Sequence, residues 1–269
     1  MKQTLIAALL GLWTSAAAAE DAWHWQPTLG LAAGYFDYEE TDGGRRVNRE
    51  SGAMPGVIGE IKGIYAPWFG TLRGSFFAAD VDYDGQTNLG TPLTTVTYEA
   101  IAEGELRAGR RFILAPRHEL EAYLGAGLRW WSRDIRSTAI ASGVIEIYRW
   151  PFVMAGLEYA WSVTPEDTLS LDVRGWPRVN PGLKVDFKNG YDDAKLNPEG
   201  EGGGGRITLA WERRIQARKS VLVELWYERW DLGKSAEEPL SQGGVVVGTL
   251  YEPASTTEFI GLSLSLRWL

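Results

Sequence analysis

Glu119-Leu-Glu121-Ala-Tyr123-Leu-Gly125-Ala-Gly127-Leu-Arg129-Trp-Trp131-Ser-Arg133 is the stretch that decides the fold. Leu120, Ala122, Leu124, Ala126, Leu128 and Trp130 fall on one parity, while Glu121, Tyr123, Gly125, Gly127, Arg129 and Trp131 fall on the other. Period two is the signature of a strand whose two faces meet different surroundings. Val221 to Glu228 repeats the pattern, with Val221, Val223, Leu225 and Tyr227 opposite Leu222, Glu224, Trp226 and Glu228.

Working outward, the same reading predicts strands at roughly 28–38, 53–64, 71–82, 95–112, 148–161, 168–176, 206–215 and 258–268, which makes ten in all. Parity breaks near Asp80 to Asp82, so a bulge is expected there. Val245-Val246-Val247 leaves room for a further hairpin and a twelve-strand alternative. Each segment is long enough to cross a bilayer when tilted.

The connections alternate in length. Short turns are expected at 67–70, 115–118, 163–167 and 216–219, and longer polar loops around 40–51, 83–94, 134–147, 187–205 and 233–257. Transmembrane barrels show that asymmetry, with short periplasmic turns and long external loops, and an even strand count returns both termini to the periplasm. Aromatic residues gather near the segment ends: Trp68, Phe69, Phe112, Trp161 and Trp268 on the short-turn side, and Tyr35, Tyr38, Trp130, Trp150, Trp176, Tyr227 and Trp230 on the other. Two interfacial girdles are the expected reading.

Met1 and Lys2, the apolar run from Leu5 to Trp13 and the small-residue tail Ser15 to Ala19 have the order of a cleaved signal peptide, with the cut before Glu20. Residues 1–19 are therefore set apart as the signal and 20–269 as one barrel domain, all-β, antiparallel and up-and-down. A net charge of −8 argues against nucleic acid as a partner. The absence of cysteine removes disulfides, thiol catalysis and cysteine-based metal sites.

The closing stretch Glu258-Phe-Ile-Gly-Leu-Ser-Leu-Ser-Leu-Arg-Trp268-Leu269 resembles the last strand of Gram-negative outer-membrane β-barrel proteins, with Ile260, Leu262, Leu264, Leu266 and Trp268 alternating towards lipid. Here Leu269 follows the aromatic residue on which that family usually ends. The resemblance implies export to the outer membrane, insertion by the barrel-assembly machinery, and surroundings of outer-membrane lipid and lipopolysaccharide.

With the apolar rows towards lipid, the other rows place many charges in the lumen: Glu60, Lys62, Glu99, Glu103, Glu105, Arg107, Glu121, Arg129, Arg133, Glu158, Asp172, Arg174, Arg206, Glu212, Arg214, Glu224, Glu228 and Arg267. A ten-strand barrel is narrow, and buried charges are costly unless paired, so these side chains are expected to form a network across the lumen. The functional alternative is a narrow polar path, cation-preferring because acidic groups outnumber basic ones in this set.

Motifs for other chemistry are incomplete. Asp80-Val-Asp82-Tyr-Asp84-Gly85 opens like a calcium loop, but Thr91 stands where the closing glutamate belongs. The run Gly202 to Gly205 lacks the strand-to-helix setting of a phosphate loop and reads as a flexible external loop. Arg45, Arg46 and Arg49 could meet lipopolysaccharide phosphates, but they read first as part of a solvated loop. Barrel proteases and lipases use a histidine base near the outer membrane surface, whereas His24 and His118 fall before the first strand and in a short turn. Glu103 and Glu105 have the chemistry for acid–base work but share the lumen with arginines. No cofactor or metal is expected. The sequence favours a non-enzymatic, monomeric barrel, with a surface hydrolase and a loop-borne adhesin as alternatives.

Overall fold

A computed structural model describes residues 23–87, 90–177, 180–198 and 202–269, so the expected signal peptide lies outside the described residues. The strands are β1 (His24–Asp42), β2 (Arg45–Tyr65), β3 (Trp68–Gln86), β4 (Pro92–Ala115), β5 (His118–Ile135), β6 (Val144–Ser162) and β7 (Asp167–Trp176). They continue with β8 (Gly182–Phe187), β9 (Ala194–Leu196), β10 (Gly204–Gln216), β11 (Lys219–Leu232), β12 (Glu238–Gln242), β13 (Val245–Leu250) and β14 (Ala254–Trp268). No helix occurs among the described residues.

Ten of these close into a ring of antiparallel neighbours, in the order β1-β2-β3-β4-β5-β6-β7-β10-β11-β14 and back to β1. Closure removes every free edge from the wall, which a membrane demands because its interior offers backbone groups no water. The hairpin seeded by Val245 to Val247 does form, as β12–β13, but as a separate two-stranded sheet beyond the ring. β8 and β9 extend the loop end of β6 and likewise stay outside it.

The parity rule places an apolar belt on the outside. Leu29, Leu31, Leu72, Leu106, Leu124, Leu128, Val153, Leu262 and Leu264 are between 53% and 72% exposed on the outer surface. A continuous belt of that kind would be a severe liability in water and is the expected face towards lipid. Towards the loop end the outward row turns charged, with Asp37 and Arg49 in contact at 2.5 Å and Arg229 and Glu258 at 3.2 Å. The strands therefore project beyond the belt.

Several expectations need correction. The region 40–51 is no loop: β1 and β2 run on to a two-residue turn at Gly43 and Gly44, whose φ values of 57° and 75° suit glycine. Both faces of that protruding hairpin are polar, the outer one towards solvent and the inner one, with Asn48 and Glu50, towards buried charged partners, which hid its strand character. The bulge expected near Asp80 to Asp82 is absent, since β3 and β4 pair in unbroken register from Trp68↔Arg110 to Gln86↔Pro92. Phe77 and Val81 keep the buried row, and Asp80, Asp82 and Asp84 lie on the opposite, exposed row. Gly204 and Gly205 belong to β10 rather than to a flexible loop, and a Cβ on Gly204 would lie 2.3 Å from Nε1 of Trp176.

The girdles are also thinner than expected. Tyr35, Tyr227, Trp68, Trp161 and Trp268 stand on the exposed row, whereas Tyr38, Phe69, Trp150, Trp176 and Trp230 are buried inside.

Candidate functional site

The candidate site is the lumen, which divides into two regions. At the short-turn end lies a cavity of about 510 Å³, lined by eight acidic and eight basic side chains. Arg73, Arg107 and Arg267 converge on Glu60 at 3.4, 3.1 and 3.4 Å, Arg73 also meets Glu224 at 3.1 Å, and Arg267 meets Glu212 at 2.6 Å. Lys62, on the same strand as Glu60, reaches Glu121 of β5 at 2.8 Å, and the Tyr123 hydroxyl donates to Asp172 at 2.5 Å. Glu158 stands between them, opposite Glu121 on one neighbouring strand and Asp172 on the other. Arg214 is exposed at the mouth.

Deeper in, the pairs become dry. Arg174 reaches Glu105 at 2.9 Å, and Arg129 holds Glu103 at 2.6 Å and also Glu228, which Arg206 approaches at 3.5 Å. Arg129 lies 4.3 Å from the centre of the Trp230 ring, with Trp150, Phe152 and Trp176 within 6.0 Å. Cation–π contact of this kind gains strength away from water.

The loop half is closed by side chains from the barrel wall. Trp131, Trp150, Trp230, Tyr38, Tyr148 and Phe36 are each at most 1% exposed. Trp131 stacks on Tyr148 at 4.7 Å and meets Tyr38, Phe36 and Trp230 edge-on at 5.2, 6.1 and 6.3 Å. Above them Arg133, fully buried, gathers Glu40 at 2.9 Å, Glu146 at 2.6 Å, Glu50 at 2.5 Å, Glu99 at 3.6 Å and Glu252 at 3.9 Å. Trp131 Nε1 also donates to Glu99.

The residues singled out from sequence thus run from a balanced cavity, whose inner end Arg174 and Arg206 line, through a buried ring of pairs around Arg129 to an acid-rich cluster around Arg133. Sequence reasoning misses Arg73 and Arg111, which share the inward row of their strands, and Glu40, Glu50, Glu146 and Glu252, which fall in the expected loops. Parity alone would have found Arg73, two residues from the buried Thr71.

The other chemistry considered does not assemble. Asp80 is occupied by Arg136 at 2.7 Å and Asp84 by Arg46 at 3.5 Å, on a straight strand that spreads the carboxylates rather than converging them. His24 and His118 both stand at the short-turn end, where His118 Nδ1 is 2.6 Å from the Tyr159 hydroxyl and its ring stacks on Trp161. Among the described residues no histidine lies near the loop end.

No protein-family model matches the chain, and no curated protein matches it either. Solved structures do. The outer-membrane protease OmpT of Escherichia coli superposes with a TM-score of 0.71 at 11% identity, over 94% of this chain and 99% of that one. The translocator domain of the autotransporter NalP from Neisseria meningitidis gives 0.41 at 9% identity, covering 96% and 92% of the two chains. OprG of Pseudomonas aeruginosa gives 0.38 at 11% identity, covering 91% and 94%. With the closed ten-strand ring and its apolar belt, the first of these shows the fold: the chain is a β-barrel of the Gram-negative outer-membrane type.

Proposed function

We propose that the protein is a non-enzymatic outer-membrane barrel that works as a narrow, gated pore, closed at its loop end in the conformation described above. The supporting observation is that the 510 Å³ charged cavity ends on side chains of the barrel wall rather than on a separate plug domain. Side chains can change rotamer without unfolding a domain, so such a closure is reversible in principle. With the short turns in the periplasm, the cavity faces the periplasm and the Arg133 cluster faces outside. Cation preference resides at that outer cluster, where five carboxylates surround one guanidinium, because the cavity itself is balanced in sign. Lipid and lipopolysaccharide surround the belt, and the barrel-assembly machinery inserts it.

Reconstitution in planar bilayers tests this reading. Discrete conductance steps that grow when Trp131→Ala empties the closure support it, and silence from both proteins refutes it. A second reading, a surface hydrolase, is favoured only by the likeness to the protease OmpT. The absence of a histidine near the loop end, among the described residues, weighs against a histidine-based version. Release of peptides or fatty acids by purified protein, lost on His118→Ala, would favour the hydrolase.

A further inference from the structure

The outermost arm reaches the Arg133 cluster through one side chain, while its hairpin rests on a neighbouring loop, where the Asp192 amide donates to the Ser241 carbonyl at 2.9 Å and the Asp192 carboxylate accepts from the amides of Gly243 and Gly244 at 3.1 and 2.8 Å. Residues 233–253 leave β11, rise into the β12–β13 hairpin and return to β14. At the neck the Ser235 amide donates to the Glu252 carbonyl at 2.9 Å, and the Glu252 amide donates to Ser235 Oγ at 2.8 Å. From there the Glu252 carboxyl points into the Arg133 cluster, where it accepts from the Tyr148 hydroxyl and from the Tyr38 hydroxyl at 3.5 Å. It is 5% exposed.

Every neighbouring strand contributes a titratable or charged group. Tyr38 and Glu40 come from β1, Glu50 from β2, Tyr83 from β3, Glu99 from β4, Arg133 from β5, and Glu146 and Tyr148 from β6. Glu40, Glu146 and Glu252 place carboxylate oxygens within 4.8 Å of one another. Arg133 Nη1 already serves Glu40 and Glu146 at 2.9 and 2.6 Å and stands 3.9 Å from Glu252. One guanidinium cannot neutralise five carboxylates, three of them buried and two partly so, and the cluster must share protons. Burial first, and then the nearby Glu146 and Glu40 carboxylates, push Glu252 well above the usual carboxylate range.

We propose that Glu252 is a proton-operated clasp that holds the β12–β13 arm on the barrel rim when protonated and lets it go when ionised. Among the described residues, the other ionic tie at the neck is Asp42, which binds Lys234 at 2.9 Å and the Tyr251 hydroxyl at 2.8 Å and is partly exposed. Exposed ties of that kind hold weakly. A carboxyl whose pKa is raised in the docked state contributes docking that is complete below its ordinary value and lost as pH climbs through the raised one. Release therefore comes on the alkaline side.

The chain has no cysteine, so Val246→Cys, at an arm position 64% exposed, takes a single spin label on the folded barrel in detergent. The mobile fraction of that label should rise as the pH is raised above the ordinary carboxylate range, while a label at Thr168→Cys in the barrel stays unchanged. Glu252→Gln, a permanent mimic of the neutral carboxyl, should abolish the rise and keep the arm docked throughout. Glu146→Gln relieves one like charge and should shrink the rise, which keeps the idea testable if Glu252→Gln does not fold. A flat response in the unmodified chain, or the same rise in both variants, would overturn the clasp.

Discussion

Both ends of this lumen are charged, yet they meet the cost of burying charge in opposite ways. At the short-turn end the signs balance, the pairs line a cavity with room for water, and Glu158 faces that cavity with no ion pair within 4 Å among the described residues. At the loop end carboxylates outnumber guanidinium, water is excluded, and aromatic rings fill the remaining space. Hydration can absorb an imperfect charge pattern, and a dry site cannot. Removing a charge should therefore be costly at the dry end and nearly neutral at the wet one.

The largest effect is expected from Arg133→Met, which strips the buried carboxylates of their shared cation. It should cost about 3–5 kcal/mol and lower the unfolding temperature of the detergent-solubilised barrel, unless acidic pH restores it by protonating the carboxylates. Trp131→Ala comes close behind, at about 3–5 kcal/mol for a fully buried ring, in the same unfolding measurement. Arg129→Gln leaves Glu103 and Glu228 facing each other but keeps the size of the site, so a loss of about 2–3 kcal/mol is expected, largely recovered in the triple variant with both glutamates changed to glutamine. Smallest is Glu158→Gln, within about 0.5 kcal/mol of the parent, because among the described residues the carboxylate has no direct ion pair to lose. A large cost at Glu158 would break the distinction between the two ends.

How much of this was legible from the residues depends on the environment of each strand segment. Where one face meets lipid and the other a polar lumen, as in the first half of β5 from Glu119 to Leu128, alternation is clean and both strand and orientation can be read. Where both faces are apolar the period vanishes: on β6, Tyr148, Trp150 and Phe152 face the closure while Pro151 and Val153 face outward, so Trp150 passed for a girdle residue. Where both faces are polar, as in the hairpin through Gly43 and Gly44, a strand looks like a loop, and Glu40 and Glu50 went unseen with it. The lumen charges on clean strands could be named in advance. Their division into a wet and a dry region could not, because it depends on which strands meet across the ring, such as Arg73 with Glu224 and Arg129 with Glu228.

Single-cysteine accessibility tests the two-region lumen most directly, since the parent chain offers no competing thiol. A small, charged, membrane-impermeant thiol reagent should modify Ser170→Cys in the cavity rapidly and leave Thr97→Cys, whose parent residue is 0% exposed at the loop end, protected in the folded barrel. Equal labelling of both positions, or protection of Ser170→Cys alone, would contradict a lumen that is open to water at the short turns and sealed at the loops.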